Sequence, residues 1–138
     1  MPGSRIAVPF RALRIGVVVT LFSVLAGCAI HVPVEKVYGE YVASYPFGTE
    51  TLKLNRDGTF VQSVVVNRGK PVAVRGTWEF DNSDSRVTLY GAMNVATGFG
   101  NLRNDWQRTD LGLWSEDVEL HWFRVVMGSG EPYPFFKQ

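Results

Sequence analysis

The sequence predicts an all-β protein, an antiparallel meander closed into a small barrel, with a two-sheet sandwich as second choice and a signal-peptide helix ahead of it. Three observations carry that reading. Apolar and polar residues alternate with period two, as at residues 50–55 (ETLKLN), where Leu52 and Leu54 share one face and Thr51 and Lys53 the other. Turn-forming residues punctuate the runs at short intervals. After residue 37 no stretch keeps a helical apolar period over three turns, which leaves no crossover helix for parallel pairing.

Strand character begins at Tyr38. Arg56-Asp57-Gly58 follows the first alternating run, and Asp-Gly between two such runs is a hairpin signal, because glycine takes the positive φ the turn requires. Residues 59–67 (TFVQSVVVN) are rich in β-branched side chains and supply the returning strand. Arg68-Gly69-Lys70 turns into a third long strand at residues 71–80 (PVAVRGTWEF), in which Gly76 is expected to mark a bulge or bend. A polar turn at residues 81–85 (DNSDS) leads to residues 86–95 (RVTLYGAMNV). Residues 96–117 then break the rhythm. Regularity is expected to resume at residues 118–127 (VELHWFRVVM), with Val118, Leu120 and Trp122 on one face and Glu119, His121 and Phe123 on the other. Gly128-Ser129-Gly130 reads as a turn, and residues 131–138 (EPYPFFKQ) as a short closing strand with its prolines at the start.

The first 27 residues differ in composition: Arg5, Arg11 and Arg14, no acid, then a twelve-residue apolar run at residues 15–26. That length fits the core of a secretory signal and falls short of the roughly 20 residues a transmembrane helix needs. The run ends in Leu25-Ala26-Gly27-Cys28, which resembles the lipobox of bacterial lipoproteins. The resemblance implies cleavage between Gly27 and Cys28, a diacylglycerol on the Cys28 thiol and a further acyl chain such as palmitate on the new amino group. No cofactor beyond these chains is expected. Two or three acyl chains hold a protein to a membrane stably where one does not. Ala29 stands where an aspartate marks inner-membrane retention in Gram-negative lipoproteins, which implies the periplasmic face of the outer membrane if the cell is Gram-negative. Cys28 is the only cysteine, so a lipidated chain has no disulfide and must rest on its core. The expected organisation is a signal peptide at residues 1–27, a lipidated tether at 28–37 and a β domain at 38–138. Removal of residues 1–27 leaves 111 residues and takes the formal charge from +1 to −2, which argues against nucleic acid as a partner.

Gly39-x-Tyr41, Leu52-x-Leu54-Asn55-x-Asp57-Gly58-Thr59-Phe60 and Gly76-Thr77-Trp78 together resemble the pattern of small bacterial lipocalin-like lipoproteins. The resemblance covers about the first half of the mature domain. It implies a β-barrel whose mouth or interior takes an apolar ligand, and it supplies no catalytic residue.

The chemical inventory gives no catalytic site and no metal site. His31 and His121 have no histidine or free cysteine at metal-ligand spacing. Glu119 and His121 share a strand face, read as solvated. Glu116, Asp117 and Glu119, with Asp105 and Asp110, could furnish paired carboxylates but read first as exposed acids. Ser129 lacks the frame of a nucleophile elbow, and Gly98-x-Gly100 lacks a third glycine and a following helix.

Aromatic side chains are the larger surplus. Trp78, Phe80, Tyr90 and Trp122 are expected in core or wall. Phe99, Trp106 and Trp114 fall in the irregular segment, where they either plug the barrel end or, with Arg103 and Arg108, form a ligand or partner surface. The expected function is that of a non-enzymatic envelope lipoprotein, held to the membrane by its lipid anchor and binding an envelope protein or an apolar small ligand. The alternatives are an inhibitor or immunity-type lipoprotein acting on a toxin or cell-wall enzyme, and a periplasmic hydrolase using the acidic cluster.

Overall fold

Alternating burial is what the strands share. In the structure, a computed structural model describing residues 31–110 and 113–138, every second side chain of β1 (Gly39–Tyr45), β2 (Gly48–Leu54) and β3 (Thr59–Val66) points inward. The series continues through β4 (Val72–Asp81), β5 (Arg86–Tyr90), β6 (Leu113–His121), β7 (Arg124–Met127) and β8 (Phe135–Lys137). Each strand pairs antiparallel with the next, and β8 returns to β1 with Phe136 opposite Val42 and Lys137 opposite Tyr41. The result is a closed eight-stranded barrel within the compact unit His31–Gln138. Closure removes both sheet edges, so no strand is left to template aggregation.

Hairpin chemistry sets the register. Asp57 Oδ1 accepts hydrogen bonds from the amide and hydroxyl of Thr59, while Gly58 takes φ +80 to complete the β2–β3 turn. Asn67 and Arg68 both take positive φ in the β3–β4 turn, a residue earlier than the Arg68-Gly69-Lys70 reading. At Gly76 the ladder is regular, with Phe60 opposite, so there is no bulge. The glycine is required by close approach, because a Cβ there would collide with the Tyr90 carbonyl and the Phe60 ring.

One turn of helix, α1 (Val34–Val37), lies at the end of the barrel where β1 starts. Val32 and Val37 are buried in the core, and the Tyr41 hydroxyl donates to the Val37 carbonyl at 2.6 Å. Leu52, Leu54, Phe60, Trp78, Val87, Leu89 and Val118 fill the barrel above this plug. Trp78 Nε1 donates to the Asn55 carbonyl at 2.9 Å, tying the indole to the β2–β3 turn. The lower barrel is therefore packed with side chains, one of the two ways an eight-stranded interior can be used.

Three boundaries differ from the sequence reading. The strand expected over residues 86–95 stops at Tyr90, where Gly91 turns away at φ +86. The irregular segment ends earlier than residue 117, because β6 already begins at Leu113. Its inward positions alternate as Trp114, Glu116, Val118 and Leu120, and an acid among them hides the period. The single strand expected over residues 118–127 is two, folded at Trp122-Phe123. Both turn aromatics are exposed, so Trp122 does not share the inner face with Val118 and Leu120, and Tyr90 also lies on the outside.

Candidate functional site

The end of the barrel opposite α1 is covered by the chain between β5 and β6. Met93 and Val95 are buried there against Val64, with Trp106 and Leu102 packed on them. A polar contact inside the barrel holds this cover in place. The Gln62 side-chain amide pairs with Met93 as a strand would: its Oε1 accepts from the Met93 amide at 2.6 Å and its Nε2 donates to the Met93 carbonyl at 2.9 Å. Gln62 Nε2 also donates to Glu50 Oε1, and the Tyr45 hydroxyl donates to Glu50 Oε2 at 2.9 Å. Among the described residues no buried side-chain polar atom lacks a partner.

The cover does not fill the whole end. Between it, β1, β6 and the chain leading into β8 lies a cavity of about 200 Å³. Tyr45, Trp114, Tyr133 and Phe135 form aromatic walls; Tyr133 meets Tyr45 edge-on at 5.4 Å and Trp114 meets Phe135 at 5.7 Å. Glu50, Glu116 and Glu131 contribute carboxylates, and among the described residues no lysine, arginine or histidine lines it.

That imbalance shapes the acids. Burial pushes the Glu50 carboxyl up to about 7, against hydrogen bonds from Gln62 and Tyr45 that favour its ionised form. Glu116 is also pushed up to about 7, by burial first and then by repulsion from Glu131 and Asp117, with Arg86 opposing. Burial and the neighbouring Glu50 carboxylate keep the Tyr45 hydroxyl protonated far above its ordinary range. Near neutral pH Glu50 and Glu116 are thus each poised between a protonated and an ionised form, and a cation placed inside the cavity would favour the ionised one.

The residues expected to form a ligand or partner surface do not come together. Trp114 is in β6 and faces the cavity, paired with Leu89 across the ladder. Trp106 is half-buried in the cover. Phe99 sits at the tip of a small loop closed by the Ala96–Leu102 bridge and is 92 % exposed. Arg103 pairs in two hydrogen bonds with Asp105, and Arg108 does the same with Asp110, so both guanidinium groups are satisfied by neighbours two residues on. Gly27 and Cys28 lie outside the described residues. The acidic cluster is divided by strand alternation: Glu116 points inward, while Asp117 binds Arg86 outside at 2.9 Å and Glu119 meets His121 at 2.7 Å on the solvated face. Glu50, Gln62, Tyr45 and Tyr133 went unread as site residues. Glu50 and Gln62 do occupy inward positions of alternating strands, and a polar residue in such a position was the signal available.

Fold and cavity together define an antiparallel eight-stranded barrel with one packed end and one small, aromatic, acidic chamber. The chain matches no protein family, no curated protein and no solved structure, so what the chamber holds is read from its own chemistry.

Proposed function

We propose that this protein is a non-enzymatic lipoprotein of the cell envelope, anchored through acylated Cys28, whose barrel binds a small amphiphilic cation in the chamber at its covered end. The observation that carries the reading is the cavity lining: among the described residues, four aromatic rings and three carboxylates with no basic side chain. Aromatic faces and carboxylates both attract a cationic head, and the rings also accept an apolar body. A volume of about 200 Å³ is below the range of about 300–1,000 Å³ usual for drug-sized ligands. The occupant is accordingly small, an organic amine and not a long acyl chain, since Tyr41, Leu52 and Phe60 already fill the lower barrel.

The binding reading is favoured over a hydrolase because alternation along β6 turns Asp117 and Glu119 away from Glu116. A protein partner is the second reading, and exposed Phe99 beside the chamber favours it; an inhibitor or immunity-type lipoprotein would use such a loop.

The test is to express residues 29–138 in the periplasm without the anchor and identify by mass spectrometry what co-purifies. A reproducible small amine, displaced in Glu116→Gln, is the expected result. An empty chamber that binds no member of a panel of primary and quaternary amines would remove the ligand reading.

A further inference from the structure

At the barrel end that carries α1, the β6–β7 turn presents Trp122 and Phe123, which are 92 % and 97 % exposed. Trp122 sits there at φ +59, the left-handed region that an L-residue with a large side chain rarely takes. The turn thus carries strain and buries neither ring in return. A surface groove runs beside it along α1 and β8. Three cations line this groove, Lys36, Arg124 and Lys137, against one acid, Glu35.

The described chain joins the barrel at this same end. Val32 is buried, and His31 Nδ1 lies 3.4 Å from the Ser85 hydroxyl at the β4–β5 turn. Only Ala29 and Ile30 separate Cys28 from His31, three residue steps that a fully extended backbone spans in about 11 Å. A lipid on Cys28 therefore brings a bilayer surface within reach of this end. The other end has its cover and chamber a full strand length away.

We propose that the α1 end is a membrane-facing surface: Trp122 and Phe123 enter the headgroup layer of the bilayer that holds Cys28, and Lys36, Arg124 and Lys137 meet its anionic phosphates. The proposal rests on the lipid anchor put forward above. Tryptophan is suited to this layer, because its ring is apolar while its N–H stays hydrogen-bonded to water or headgroups. The anchor makes the contact intramolecular, so two rings suffice where they would not hold a free protein. Insertion stays shallow, because Asp117, Glu119 and Arg86 on the outer wall above the turn remain in water. The chamber then opens toward the aqueous compartment.

The experiment uses the full-length acylated protein carrying Phe123→Cys, labelled with an environment-sensitive dye and reconstituted in vesicles of phosphatidylethanolamine and phosphatidylglycerol. Acylated Cys28 does not react, so the dye reports residue 123 alone. Its emission is expected to shift to shorter wavelength and to be quenched by brominated acyl chains. The same dye at Asn104→Cys, an exposed position on the cover at the far end and outside the chamber lining, is expected to do neither. Equal water exposure at the two positions overturns the proposal. A second measurement needs no dye: brominated lipids are expected to quench a share of the wild-type tryptophan emission that Trp122→Phe lacks, and undiminished quenching in that variant also overturns it. Intact mass reads the anchor separately. Unmodified Cys28 removes the anchor and this surface with it, whereas acylated Cys28 with a water-exposed residue 123 removes only the surface.

Discussion

Glu50 shows how much one buried side chain decides. It is 4 % exposed and without a cation beside it, so burial favours its protonated form even against the hydrogen bonds that both its oxygens accept. Between about pH 4.5 and 7 the unfolded chain has released a proton that the folded protein still holds. Stability from this group is complete below that window and is lost as pH rises through 7. The loss is at most about 3 kcal/mol for Glu50, with a smaller part from half-exposed Glu116. Denaturant unfolding at pH 5 and pH 8 should show this fall, and Glu50→Gln should leave only the part due to Glu116. Gly76 makes a second residue-scale prediction. Its missing Cβ is where the Phe60 ring and the Tyr90 carbonyl lie, so Gly76→Ala should destabilise by about 1–3 kcal/mol through overpacking, read from the urea midpoint.

At the scale of elements, the β6–β7 hairpin separates propensity from fold. Residues 118–127 contain valines, a tryptophan and a phenylalanine, all favoured in strands, and propensity alone runs them together. Tertiary closure overrides this, because the chain must reverse after β6 for β7 to lie between β6 and β8, and the reversal falls on Trp122-Phe123. A first turn position at positive φ suits glycine. Trp122→Gly should therefore leave stability unchanged or raise it by up to about 1 kcal/mol, measured by thermal or urea unfolding. A loss of about 2 kcal/mol or more would mean that the ring packs against the barrel and is not held for a membrane. The β2–β3 hairpin is the contrasting case. Its Asp57-Gly58 signal was legible, because a local hydrogen bond and a positive φ at glycine set the turn without help from the rest of the chain.

For the whole molecule, the proposed cation chamber and the proposed membrane-facing surface lie at opposite ends of the barrel, and pH acts on the chamber. Ionisation of Glu50 and Glu116 weakens the fold but strengthens the attraction of the chamber for a cation. Affinity for an amine should therefore rise from pH 6 to pH 8 while stability falls, and calorimetric titration at the two pH values checks it. Glu116→Gln should lower that affinity by roughly tenfold at pH 8, the loss of one charge-assisted contact. Flat affinity across this range would show that the carboxylates do not face the ligand. Cys28→Ala should release the protein from the membrane fraction without changing amine binding by the barrel, which fractionation and the same titration would read together.

The sequence by itself determined the all-β antiparallel class, the positions of the early turns and the order of strands through Phe80, because alternation and turn chemistry are local properties of adjacent residues. It also singled out residues 96–117 as irregular, though the structure begins that segment at Gly91 and ends it before Leu113. Only the tertiary structure decided barrel closure through β8 on β1, the splitting of residues 118–127, and the chamber itself. Glu50 and Gln62 are twelve residues apart, and Met93 is thirty-one beyond Gln62. Their contact exists only once the sheet has curled, and no local pattern encodes which inward polar residue will meet which.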